Sequence, residues 1–319
     1  LRVRVVRQLC MGTLMFILVA LLVVFVVAVE RPFQRRVQRL PTSTGAERPR
    51  SLPAVSHAIR MDPEHVLWLN ARLREMTLGQ FLRWVDATIP KSVLFTSFGP
   101  SGLVVLHELS KAGLLSRTPV VTIDTLYLFP ETYRHIQRVE TNYRFHAQRL
   151  RPLTEDGHEL QAASSFEKEY GMELWQSDPE RYAWLTKMEP TQRAMKDLDA
   201  FAQLTGMRRT QGGERKQVEL LEVVGTRLRI NPLAHWSLDE VWSYIRSSKI
   251  SYNPLHDQGF ASVGDWPTTG KTALGEAERS GRWKGSNRTE CGMHSILSKL
   301  ASAEQDSRPQ EWESGARQR

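Results

Sequence analysis

Apolar positions between Glu64 and Asp86 recur at mixed three- and four-residue spacing. Val66, Leu67, Leu69, Leu73, Phe81, Leu82 and Val85 share the period of a helix face, and this predicts a helix over 64–86. The pattern then shortens to a strand, Ser92–Thr96, followed by Ser97-Phe98-Gly99-Pro100-Ser101-Gly102 and an apolar helix over Leu103–Leu115. A second strand, Val120–Ile123, stops at Asp124-Thr125. A helix opens at Pro130, where the fixed φ of proline suits the first turn. Asp199–Leu204 and Val218–Val224 predict two more strands. Ser237-Leu-Asp-Glu240 has the form of a capping box, with Trp236 and Val241 placed as the hydrophobic staple, and opens a helix through Ile245. Strands alternating with helices predict a doubly wound, mainly parallel sheet covered on both faces, an α/β fold.

One segment has no polar phase at all. From Leu9 to Val29 no residue is charged, and 21 residues are enough to cross a bilayer core of ~30 Å as a helix. Arg2, Arg4 and Arg7 flank one end; Arg31, Arg35, Arg36 and Arg39 flank the other, so the charge rule for orientation does not choose a topology. Two readings stay open: residues 9–29 are a membrane anchor or targeting extension unrelated to the chemistry, or, since the chain begins at Leu1 and not Met, the arm is truncated or a product of a poor gene boundary. Residues 40–62 are rich in Pro, Ser, Thr and Arg and read as a linker. The organisation expected is an arm and linker over 1–62 and a nucleotide-binding α/β domain over 63–250. A C-terminal segment over 251–300 and a polar tail over 301–319 follow.

Charge changes the picture once it is divided by position. The chain of 319 residues carries a formal +8, but residues 1–50 hold nine arginines, no lysine and two glutamates. The remainder is close to neutral, so the folded part has no global footprint for nucleic acid. Two cysteines, Cys10 and Cys291, are too few for a disulfide framework or a four-cysteine metal or iron–sulfur site. No metal site is expected.

The candidate chemistry gathers where strands end. Ser97–Gly102 lies between a strand and a helix, where small residues let backbone N–H groups approach an anion; most such turns simply connect elements. Asp124 and Thr125 close the next strand at the carboxyl edge, where open α/β sheets bind ligands, although an Asx turn would explain the aspartate equally. Arg208 and Arg209 suit phosphate or sulfate oxyanions, and a solvated surface pair is the ordinary alternative. His235 and His256 lack partners at ligand spacing and read as structural. Cys291 has Arg288 three residues before it, His294 three after it, and Gly292 beside it. Positive neighbours favour the thiolate, so a reactive thiol is the expectation, with a buried filler cysteine as the alternative.

Five motifs in order carry a resemblance: Ser97-Phe98-Gly99, Asp124-Thr125-Leu-Tyr-Leu-Phe-Pro-Glu131, Thr205-Gly206-Met-Arg-Arg209, Ser262-Val-Gly-Asp265 and Glu290-Cys-Gly-Met-His294. Together, over Leu69 to His294, they resemble the thioredoxin-dependent phosphoadenylyl-sulfate (PAPS) reductases of assimilatory sulfate reduction, most closely fungal-type members. The resemblance implies an adenine nucleotide α-hydrolase-like fold, related to ATP pyrophosphatases, with a mobile C-terminal catalytic segment. It implies that Cys291 attacks the sulfur of PAPS and carries a thiosulfonate, which reduced thioredoxin resolves to sulfite. Adenosine 3′,5′-bisphosphate is the leaving group. Ser97, Phe98, Gly99 and Ser101 would lie at the nucleotide phosphates, and Asp124 and Thr125 near the nucleoside. Arg208, Arg209, Lys284 and His294 would meet the 3′-phosphate or the sulfonyl oxygens.

The resemblance further implies no bound cofactor, no iron–sulfur cluster, a cytoplasmic catalytic domain and a homodimer. Family members that use adenylyl sulfate usually carry extra cysteines for a four-iron cluster, which favours PAPS here; a cluster-free adenylyl-sulfate reductase is the nearest alternative. A nucleotide-cleaving relative of the ATP pyrophosphatase kind would need a carboxylate in its phosphate loop, and Ser97–Gly102 has none. A membrane-tethered binding module without activity is the third reading.

Overall fold

In the computed structural model, which describes residues 62–273 and 275–283, the apolar stretch after Glu64 is two helices and not one. Helix α1 spans Pro63–Leu73 and α2 spans Leu78–Thr88. The break comes from Thr77, whose extended backbone and reciprocal hydrogen bonds with Gln80 make a capping box inside the helical period. Only part of the expected face reaches the core: Leu73, Phe81, Leu82 and Val85 are buried, whereas Leu67 is exposed.

The elements that follow keep the expected order, with shifted ends. Strand β1 is Ser92–Phe95, and α3 spans Pro100–Lys111, starting three residues before the apolar pattern because Pro100 takes the first turn behind Gly99. Strand β2 is Val120–Ile123, and α4 runs from Pro130 to Tyr143. Strand β3, Gln148–Leu150, has too little apolar character to be read in advance. Helix α5, Ala163–Tyr170, leads through short turns and a π-helical segment, Trp184–Met188, into α6, Glu189–Asp197. Strand β4 is Ala202–Leu204, shorter than expected because Asp199 sits in a left-handed turn with φ of 44°. Strand β5 is Leu221–Val224, and β6, Arg227–Ile230, is a further strand the pattern did not announce. The Ser237–Glu240 capping box is formed and opens α7, Leu238–Ser247. Trp236 and Val241 both pack into the main core.

The strands form one sheet in the order β3-β2-β1-β4-β6-β5, parallel except for β5 against β6. Alternation along the strands fills both faces. Leu94, Val120 and Leu204 pack with residues of α2, α3 and α7, while Val93, Phe95 and Val121 pack with Ala194 and Met195 of α6. The fold is therefore the doubly wound α/β sheet of the adenine nucleotide α-hydrolase type. From β1 the chain winds to β2 on one side, and β4 lies on the other, so a crevice opens between the carboxyl ends of β1 and β4. No helix among the described residues is long and apolar enough to cross a membrane, and residues 9–29 lie outside them.

Candidate functional site

The wall nearest β1 is built by an unusual turn. Phe98 adopts φ of 57°, a left-handed conformation that few non-glycine residues take. Its N–H donates to Thr96 Oγ1 at 2.9 Å, and its buried ring stacks on Phe145 with centroids 6.5 Å apart. Its carbonyl accepts from His135 Nε2 at 3.3 Å. Gly99 then starts α3 with no side-chain cap, which leaves first-turn N–H groups for another acceptor.

The loop after β4 presses against this turn. A Cβ on Gly206 would stand 2.8 Å from the Gly102 nitrogen and 3.0 Å from the Ser101 carbonyl carbon, so only glycine fits. Two residues on, Arg208 is fully buried, and the reading of a solvated pair is overturned for it. It donates from Nε to Ser101 Oγ at 2.9 Å, from Nη1 to Thr210 Oγ1 at 2.6 Å and from Nη2 to Glu278 Oε2 at 2.5 Å. Arg209 points elsewhere, held by Glu219 and by the Val218 carbonyl.

The third wall joins the β2 loop to the segment at 262–265. Thr125 Oγ1 donates to Asp265 Oδ1 at 2.7 Å. The same carboxylate accepts from Tyr182 at 3.0 Å and from the Lys187 ammonium of the π-helical segment. Burial alone would raise the Asp265 carboxyl, but the Lys187 charge and its hydrogen bond hold it below the usual carboxylate range. Asp124 forms the Asx turn, accepting from the Leu126 N–H at 3.0 Å, and also accepts from Tyr133 and Arg151.

These walls enclose a cavity of about 200 Å³ at the switch point of the sheet. Lys187, Arg215, Arg279 and Arg282 line it, against the carboxylates of Asp265 and Glu278, so the lining favours an anionic ligand. Arg282 lies over Gly264, where a Cβ would meet its guanidinium at 2.2 Å, and donates to the Val263 carbonyl at 3.1 Å. Its Nε is buried with no hydrogen-bond partner.

Of the residues singled out from sequence, Ser97, Gly99, Ser101 and Thr125 line the cavity. Phe98 borders a smaller adjoining space of about 30 Å³. Asp124 is buried away from the lining, and Arg208 braces Ser101 from behind. His256 lines the cavity while its Nδ1 bonds the Phe260 carbonyl, and His235 Nε2 accepts from Arg74. Lys284, Cys291 and His294 lie outside the described residues. Sequence reasoning passed over Lys187, Arg279, Arg282 and His135. Arg282 lies in the run from Gly281 to His294 that leads to Cys291, and His135 follows the Asp124–Glu131 motif by four residues, but neither stands out there from its neighbours; a buried lysine such as Lys187 leaves no local signal. Among the described residues no three His, Cys, Asp or Glu side chains group as metal ligands.

Residues 91–271 match the family model for the phosphoadenosine phosphosulfate reductase domain. A probable phosphoadenosine phosphosulfate reductase of Schizosaccharomyces pombe is 40% identical over 233 residues, covering 73% of this chain and 85% of the relative. An adenosine 5′-phosphosulfate reductase of Anoxybacillus flavithermus is 37% identical over 67% of this chain and 88% of its own. The crystal structure of phosphoadenylyl-sulfate reductase from Candida auris, a phosphate complex, matches with a TM-score of 0.59 at 34% identity, over 66% of this chain and 99% of that one. The chain belongs to the phosphoadenosine phosphosulfate reductase family.

Proposed function

We propose that the chain reduces 3′-phosphoadenylyl sulfate to sulfite and adenosine 3′,5′-bisphosphate, with Cys291 as nucleophile and thioredoxin as reductant. The observation that carries this reading is the cation-lined cavity at the switch point, framed by the same motifs that carry the family likeness. The Gly99 end of α3 and the Ser97 and Ser101 hydroxyls suit phosphate oxygens. Lys187, Arg279 and Arg282 supply charge for the phosphate and sulfonyl oxyanions, joined in this reading by Lys284 and His294. Thr125 stands at the nucleoside side.

Arg282 and Trp283 line the cavity, and Cys291 follows Trp283 by eight residues. Eight residues span at most about 29 Å of chain, which leaves the thiol within reach of any ligand seated there. The Cys291 thiolate attacks the sulfonyl sulfur, and the sulfur–oxygen bond to the phosphate breaks, its electron pair leaving on the bisphosphate. A thiosulfonate remains on Cys291. A thioredoxin thiolate then attacks the Cys291 sulfur, sulfite departs with the bonding pair, and the second thioredoxin thiol releases Cys291 as the donor becomes a disulfide. Two electrons pass from the dithiol to sulfur. No bound cofactor enters, and the two cysteines of the chain are too few for a four-cysteine cluster.

The test is sulfite release from PAPS and from adenylyl sulfate, each with reduced thioredoxin, by the wild type and Cys291→Ser. Release from PAPS, lost in the variant while nucleotide binding persists, is expected. Preference for adenylyl sulfate would overturn the substrate, and release by the variant would overturn the nucleophile.

A further inference from the structure

His135 projects from α4 into the back of the turn that starts α3, 37 residues after Phe98 in sequence. It is buried, and its Nε2 lies 3.3 Å from the Phe98 carbonyl. A carbonyl only accepts, so Nε2 carries the proton, while Nδ1 is buried without a partner. Burial pushes this imidazole down to about 4, which keeps it neutral in that tautomer near neutral pH.

The consequence lies in the next peptide unit. The chain contains no cis peptide bond among the described residues, and in a trans peptide the C=O and the following N–H point in opposite directions. Fixing the Phe98 carbonyl toward His135 therefore turns the Gly99 N–H away from His135. Gly99 lines the cavity. Gly99 has no Cβ, so its side of the Phe98–Gly99 peptide offers little steric resistance to rotation. The Thr96 hydrogen bond and the Phe145 stack hold the N–H and the ring of Phe98, and neither holds its carbonyl.

We infer that His135 is a positioning residue for anion binding: it locks the Phe98–Gly99 peptide with the Gly99 N–H facing the cavity. The ligand class is the phosphate of an adenine nucleotide, so this inference rests on the functional reading above.

The test compares wild type, His135→Phe and His135→Gln in full-length protein by calorimetric titration with adenosine 3′,5′-bisphosphate, alongside the Gly99 amide resonance. Phenylalanine fills the space without a donor; the glutamine side-chain amide replaces Nε2–H. H135F should bind roughly 10-fold more weakly, with a displaced Gly99 resonance, and H135Q should stay within about 3-fold of wild type. Unchanged binding in H135F overturns the inference, as does equal weakening in H135Q. Wild type that binds no nucleotide overturns the functional reading instead. Should H135F fail to fold, the ¹⁵N imidazole shifts of wild-type His135 decide: an Nδ1–H tautomer overturns the inference and an Nε2–H tautomer supports it.

Discussion

Thr125 and Asp265 are 140 residues apart in sequence, and their side chains meet at 2.7 Å beneath the cavity. That hydrogen bond belongs to a buried knot with Lys187 and Tyr182. It fastens the β2 loop to the segment at 262–265, which continues toward Cys291.

Breaking the knot from one side should cost more than removing both charges. Lys187→Met leaves the Asp265 carboxylate buried and unpaired, a loss of about 3–5 kcal/mol. The double variant with Asp265→Asn should recover part of that loss. Denaturant unfolding of both single variants and the double variant checks this, and additive losses would contradict it.

Gly206→Ala should strike fold and site together. Its new Cβ meets backbone of the Ser101–Gly102 turn, so the two loops must part, at about 1–3 kcal/mol of stability. Nucleotide affinity should fall with it, because Ser101 lines the cavity. A melting curve and a bisphosphate titration on the same sample test the pair of effects.

Arg282 offers a test of anion recognition. Removing its guanidinium in Arg282→Met should weaken adenosine 3′,5′-bisphosphate by roughly 10- to 100-fold, the range of a lost charge-assisted contact. Comparing the loss for bisphosphate with that for adenosine 5′-phosphate shows which phosphate Arg282 meets. An equal affinity in variant and wild type for both ligands would remove it from the site.

His135 makes stability depend on pH. Its folded pKa is pushed down to about 4 from an ordinary 6.5, first by burial, with Arg138 and His256 acting in the same direction. The unfolded chain thus binds more protons between those values, so stability rises with pH through the window and is lost as pH falls from about 6.5 toward 4. The change attributable to this one group is about 3 kcal/mol. Melting temperatures between pH 4.5 and 7 should therefore fall less steeply in H135Q than in wild type. Parallel slopes would refute the shift.

Much of this architecture was legible along the chain. The β2 strand, the start of α4, the capping box of α7 and the turn before α3 follow from period, proline placement and local hydrogen bonding, all of which act over a few residues. The capping box at Thr77 was present in the same terms, but the apolar period running across it hid the break between α1 and α2. Strands β3 and β6 escaped because neighbouring strands supplied their pairing and their own composition did not.

The site divides along the same line. Ser97, Gly99, Ser101 and Thr125 could be named from sequence because Ser97 and Thr125 follow strand ends while Gly99 and Ser101 open the helix behind one, and strand ends are where a parallel sheet binds ligands. Sequence also set the family, through motifs whose order is fixed by the chain. Only the tertiary structure decided which arginine is buried, that Asp124 is engaged by Tyr133 and Arg151 as well as by its own turn, and that Lys187 reaches Asp265. Those outcomes depend on which side chains desolvate one another, and residues such as Lys187 and Asp265 become neighbours only after the sheet has wound.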